Sequence, residues 1–267
     1  MKITNYIENL EFNVEDLFIL TETKIRKKKS PILSPRMNLK ARCKNNKIGG
    51  FGIYGITYNP TSDHEHLIYI GKFQGSSKKG RYKGNIVKDR WQKHLYTITM
   101  RGHNVAVDSK NAFDHAQRIA RDANLQLDDT FISIQGEEKS QLFEKNGCQA
   151  SYNRMMFAIQ NSSQLNPSDT KPEYVENFYK LFKFYYWRVV EQKNDRSSSE
   201  KVDLKKIEDS VISEFHDRLP CNKEYKHGCN DEYGYLHYNP EKMIMKNSQT
   251  FGDLSLKIQR NLLDSCF

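Results

Sequence analysis

Residues 52–71 read GIYGITYNPTSDHEHLIYIG, and the fold turns on them. Two β-type runs, Gly52-Ile53-Tyr54 and Tyr69-Ile70-Gly71, bracket a polar loop that contains Asn59-Pro60. The alternation predicts a hairpin in which Tyr54, Ile56 and Tyr58 share one face while Ile53, Gly55 and Thr57 share the other. In the returning arm Leu67, Tyr69 and Gly71 alternate with Ile68, Ile70 and Lys72. Asp63-His64-Glu65-His66 at the tip is expected as a solvated turn. Buried aromatics in a hairpin are usually core, so the purpose of the two phenols depends on the charged groups that join them.

Downstream, KFQGSSKKGRYKGN (72–85) is expected as a Gly/Lys loop, with a helix beginning near Ile86. Arg90 and His94 are four apart, so one helical face presents both, with Trp91 and Leu95 beside them for packing. Residues 110–125 and 137–162 have helical patterns, and FISIQ (131–135) suits a short strand. FKFYYWRVV (182–190) is dense in aromatic and β-branched residues and makes the third strand of the core. VDLKKIEDSVISEF (202–215) predicts a helix with Asp203 as its N-cap. Its apolar stripe is Leu204, Ile207, Val211, Ile212 and Phe215, and Glu208 lies on that stripe. A carboxylate there is costly unless it faces a cleft, a cation or water, and a single hard carboxylate suits one Mg²⁺-like ion that keeps most of its waters. Asp209 and Glu214 lie off the stripe. The tail ends in a helix, LSLKIQRNLLDS. At the other terminus residues 3–20 have Ile7, Leu10, Val14, Leu17 and Phe18 at helical spacing, which predicts an amphipathic helix.

The 267-residue chain carries a net charge of +9, which favours an anionic partner. The excess is local. Residues 23–50 hold ten basic side chains and no acid, and residues 72–101 hold nine against the single acid Asp89. Two such stretches flanking the hairpin point to a phosphate backbone. The five cysteines are odd in number and widely spaced, which suits a reducing cytoplasm. No apolar run is long enough to span a membrane, and acids interrupt any signal-peptide core near the N-terminus. Cys221, His227, Cys229 and His237 form a loose Cys/His group, but without a Cys-x-x-Cys knuckle they make a poor zinc site.

GIY and YIG, the helix DRWQKHL, the Glu208 helix and the closing LPCN (219–222) occur in the order of the GIY-YIG nuclease superfamily, which the chain resembles over 50–100 and 180–225. The resemblance implies an α+β fold. Its small central three-stranded antiparallel sheet is flanked by helices and carries a large helical insertion at about 101–177. On that reading 1–46 is an N-terminal helix and basic arm, 47–225 the catalytic domain and 226–267 a C-terminal extension. Tyr54 would be the general base, with Tyr69 and His94 at the same site. Arg90 would stabilise charge on the phosphorane, and Glu208 would hold one Mg²⁺ or Mn²⁺ ion. Asn222 would brace the site, Lys72 would touch the phosphate, and Tyr58 is either a support or core.

The nineteen positions from Gly71 to Arg90, filled by a basic glycine-rich loop, resemble the type II restriction endonuclease branch. The implied activity is cleavage of double-stranded DNA at a short sequence. Lys78, Lys79, Arg81 and Lys83 would bind DNA, as would Lys27, Lys28 and Lys29. A palindromic target would imply a homodimer. The alternatives are a homing or structure-specific repair nuclease of the same superfamily, and a nucleic-acid-binding module with an inactive site.

Overall fold

The two tyrosine-bearing arms pair as the antiparallel hairpin that their alternation predicts, and a sheet is built outward from it. The computed structural model describes residues 6–21, 36–40, 48–61, 63–74, 76–78, 81–98, 105–107, 114, 117–118, 121–122, 132–134, 154, 157, 160–161, 177, 179–190, 203–222 and 238–265. Strands β1 (Tyr6–Asn13), β2 (Phe18–Thr21) and β3 (Arg36–Leu39) come first, with a one-turn helix α1 (Val14–Leu17) between β1 and β2. The hairpin arms are β4 (Phe51–Tyr58) and β5 (His66–Gln74). A basic ribbon follows, β6 (Ser76–Lys78) with β7 (Arg81–Lys83), and then a π-helical turn, Val87–Trp91, that runs into α2 (Gln92–Ile98). Strands β8 (Val105–Val107) and β9 (Ile132–Ile134) pair in parallel, and β10 is Phe182–Val190. Helix α3 (Leu204–Phe215), β11 (Ile244–Met245) and α4 (Gln249–Asp264) complete the chain.

The main sheet is antiparallel, in the order β1-β10-β4-β5-β11. The three expected strands are therefore the middle of a five-stranded sheet. Segments expected as terminal extensions supply its outer strands. The helix expected over residues 3–20 does not form: Tyr6–Asn13 is strand β1. Its apolar spacing is helical, but β10 offers an unpaired edge and matching cross-strand partners. Phe12 lies opposite Phe184, and Glu8 lies opposite Arg188, with which it forms an ion pair. Tertiary pairing overrides the local pattern here.

Each face of the sheet is covered. On one face Trp91 stacks on Phe184 with ring centroids 4.5 Å apart and touches Phe12 at 5.7 Å, which fixes the Val87–Ile98 helix against β10 and β1. On the other, Ile53, Ile70, Tyr185, Trp187 and Val189 form a single core with the apolar stripes of α3 and α4. Both helices start as their sequences direct. Asp203 accepts from the Lys206 N–H, and Ser248 accepts from the Phe251 N–H. Gly52 is required by close approach, since a Cβ there would lie 2.0 Å from the Trp187 carbonyl oxygen.

The hairpin departs from strict alternation at one place. Ile56 faces Tyr69 but Thr57 faces Leu67, so Ile68 is an extra residue, a β-bulge. Leu67 therefore joins the α3/α4 core rather than the face of Tyr69. The tip is not a solvated turn throughout. Asp63 and His64 are exposed, but His66 is buried in β5 and Glu65 turns inward to Thr57, Lys183 and Tyr185. Those last two donors lie more than a hundred positions along the chain, so local polarity could not announce them. Within 72–85, Ser76–Lys78 and Arg81–Lys83 pair as the ribbon β6–β7, with Lys78 opposite Arg81, rather than an open loop.

Beyond the two residues that β11 covers, the outer edge of β5 is closed by groups that stand in for a strand. The Cys221 N–H donates to the Ile68 carbonyl at 3.0 Å. The Ile70 N–H donates to Asn222 Oδ1 at 2.8 Å, and Asn222 Nδ2 donates to the Ile70 carbonyl at 2.6 Å. The Lys72 N–H donates to Glu208 Oε1 at 3.0 Å. Buried backbone groups at positions 68, 70 and 72 are satisfied in turn. This closure is what brings α3 and the 219–222 turn to the hairpin. Among the described residues no helix is long and apolar enough to cross a membrane.

Candidate active site

The end of the hairpin that carries both phenols is set by Gly71. It lies opposite Tyr54, and a Cβ there would sit 2.7 Å from the Tyr54 ring and hydroxyl and 2.7 Å from Tyr69. Glycine lets both phenols lie over the strand, with ring centroids 5.9 Å apart. The helical face carrying His94 comes down on them. Tyr54 Oη and His94 Nε2 are 2.6 Å apart, and the Tyr69 ring lies 4.6 Å from the imidazole. Helix placement depends on its entry: Asn85 Oδ1 accepts from the Val87 N–H at 3.2 Å, and Asp89 accepts from the Asn85 N–H at 2.9 Å. Asp89, the one acid of the second basic stretch, thus serves the helix start. The π-helical turn that follows contains Arg90, and such turns recur at functional sites.

Electrostatics distinguishes this cluster from ordinary core. Burial raises the Tyr54 pKa well above the usual phenol range, reinforced by repulsion from Tyr69 and opposed by Arg90. Tyr69 is raised for the same first reason, with Arg154 and Arg90 opposing. Burial holds His94 well below the ordinary imidazole value, and Arg154, Arg90 and Lys93 push it further in the same direction. His94 is therefore uncharged at neutral pH. Glu208 lies close enough to raise both phenols. Its own carboxyl is raised by burial, with Lys72 opposing through an ion pair of 3.1 Å and the backbone hydrogen bond at the strand edge.

Tyr54, Tyr69, Arg90, His94 and Glu208 thus come together although they span 154 positions. Asn222 binds Ile70, next to Gly71, and so holds the strand that carries Tyr69. Lys72 grips Glu208. Tyr58 is separate: its ring is buried among Phe157 at 5.1 Å, Phe182 at 5.4 Å and Tyr238 at 5.4 Å. Lys78, Arg81 and Lys83 fall on the ribbon, whereas Lys79 and Lys27 to Lys29 lie outside the described residues, as do His227, Cys229 and His237. Cys221 is buried, and burial raises its thiol.

One residue of the site was not anticipated. Arg154 is buried with its guanidinium 5.8 Å above the Tyr69 ring. It comes from the 101–177 segment, where it sits in YNRMMF with no motif around it. Its helical spacing to Phe157 was the sole local hint.

The donor chemistry at Glu208 fits a small hard cation. Lys72 alone leaves the buried carboxyl raised, so its negative charge is incompletely compensated. A Mg²⁺-type ion commonly takes one or two carboxylates and completes its shell with substrate phosphate and water. Among the described residues no group of three or more His, Cys, Asp or Glu side chains forms a fuller cage. Comparison with protein-family models, with curated proteins and with solved structures returns no match to the chain.

Proposed function

We propose that the chain is a divalent-cation-dependent endonuclease of the GIY-YIG kind, which hydrolyses phosphodiester bonds of double-stranded DNA at a short specific sequence. The observation that carries this reading is the 2.6 Å contact between a buried phenol and an uncharged imidazole, with Arg90 and Glu208 acting on the same phenol. A phenol held well above its usual pKa stays protonated at neutral pH and can take a second proton only if it gives the first away. Paired with a neutral imidazole it can pass its proton on while taking another.

In the proposed reaction Tyr54 gives its proton to His94 Nε2 while its oxygen accepts a proton from the attacking water. The hydroxide forms the new P–O bond, and the bond to the 3′ oxygen breaks. That oxygen leaves with its electron pair and is protonated from solvent, while the His94 imidazolium returns its proton to solvent, giving a 5′-phosphate and a 3′-hydroxyl. Arg90 is exposed, acts on both phenols and would neutralise charge on the phosphoryl oxygens. Glu208 would hold the divalent ion, which supplies Lewis-acid charge to the scissile group when bound. Lys72 keeps the carboxylate oriented. The basic ribbon β6–β7 and the Lys27–Lys29 arm provide contacts to the duplex backbone. A palindromic target would call for two copies related by a two-fold axis.

Incubating the full chain with long duplex DNA and Mg²⁺ or Mn²⁺ should give discrete fragments. Glu208→Ala should abolish cutting while duplex affinity stays within about threefold, because the phosphate contacts lie elsewhere. Persistence of cutting in Glu208→Ala would remove the metal assignment, and absence of cutting by the native chain would remove the nuclease reading.

A further inference from the structure

We infer that Arg154, brought to the hairpin by the long segment between α2 and β10, is a positioning residue that keeps His94 a proton acceptor when the substrate's negative charge arrives. The inference rests on the nuclease reading and extends the site into a segment that the core motifs do not include.

His94 has charged and titratable neighbours on several elements. From its own helix come Arg90 and Lys93; β4 and β5 contribute Tyr54 and Tyr69; Glu208 of α3 acts on those phenols; Arg154 approaches over the Tyr69 ring. Three cations therefore act on the imidazole, and they differ in exposure. Arg90 and Lys93 are exposed, whereas Arg154 retains 8% of its surface. Solvent and salt screen the first two. A DNA phosphate bound by Arg90 would cancel that charge and would itself favour an imidazolium. An imidazolium cannot accept the Tyr54 proton, so substrate binding would disable the relay it needs. The Arg154 guanidinium is buried, where solvent and salt screen it less, and it lies over the Tyr69 ring. Its field on His94 does not depend on the docked phosphate, and it also favours negative charge on Tyr69.

The test uses the full chain labelled at histidine, with the His94 resonance assigned by its loss in His94→Gln. In the native protein His94 should remain unprotonated at pH values where an ordinary imidazole is already charged. In Arg154→Met its protonation should move up by at least about one pH unit, and in Arg154→Lys by less than about 0.3. The acid limb of the plasmid-cleavage profile should move by the same amounts, with the loss in Arg154→Met largest at low pH and recovered as pH rises. An unmoved His94 in Arg154→Met overturns the inference, as does an ordinary value in the native chain. If Arg154→Met does not fold, the native titration and Arg154→Lys decide. A tenfold loss of cleavage at every pH in Arg154→Lys, with His94 unmoved, would mean that shape and not charge matters. A native chain that cuts no DNA but shows the expected titration shifts would overturn the nuclease reading while supporting the electrostatic role of Arg154.

Discussion

Tyr54 and Tyr58 stand four residues apart on the same face of β4, and both are almost wholly buried. Tyr54 meets an imidazole, with two arginines and a carboxylate acting on it or on its partner Tyr69. Tyr58 meets the rings of Phe157, Phe182 and Tyr238. The carboxylates repeat the contrast. Burial pushes Glu65 up, but hydrogen bonds from Tyr185, Lys183 and Thr57 outweigh it and leave the group below its ordinary value. Glu208 has Lys72 as its cation and remains above. Burial alone does not set the two ends apart. Charge left incompletely compensated does, and one hairpin carries both conditions at its two ends.

The largest effect expected from this contrast is on cleavage. Tyr54→Phe should slow plasmid cutting about 10²–10⁴-fold, the usual worth of a proton-transfer group. Tyr58→Phe should leave the rate within about twofold and cost about 1 kcal/mol of stability at most. Equal losses in single-turnover assays would break the distinction between the two ends.

The next effect is on stability, and the two carboxylates should act with opposite sign in pH. Glu65 has a folded pKa below its unfolded value, so its contribution is present above the unfolded value and disappears as pH falls through the folded one. Glu65→Gln should therefore cost about 2 kcal/mol at neutral pH and nothing in strong acid. Glu208 has a folded pKa above its unfolded value, so stability from this group is complete below the unfolded value and lost as pH rises through the folded one. Glu208→Gln should melt above the native chain at neutral pH, with the gain fading in acid. Urea titrations at several pH values read both. A Glu208→Gln chain less stable than the native one at pH 7 would remove the idea of an undercompensated carboxylate.

The smallest effect is the response to cation. Mg²⁺ at ten times its dissociation constant should raise stability by about 1.4 kcal/mol in the native chain. Glu65→Gln should respond alike and Glu208→Gln not at all, as read from thermal melts.

Much of this was legible in the sequence because the determinants are local. The hairpin, β10, the α3 helix with its Asp203 cap and the Trp91 packing face follow from period-two or period-3.6 patterns and cap chemistry. Glu208 was visible as a charge on an apolar stripe. What was hidden depended on distant partners. Residues 6–13 carry helical spacing but are claimed by the edge of β10. The bulge at Ile68 moved Leu67 to the opposite face. Glu65 found its donors on β10. Arg154 acquires significance through the ring beneath it, and no spacing within YNRMMF encodes that ring.

The outer edge of β5 has a consequence of its own. A bare strand edge invites another chain to add to it, and here the deterrent is a row of side-chain and turn groups in place of a neighbouring strand. Glu208 is one of them, so the carboxylate assigned to the ion is also a latch on the sheet. A fluctuation that lifts α3 away would dismantle the proposed site and uncover an adhesive ladder in the same event, tying loss of that site to the first step of self-association.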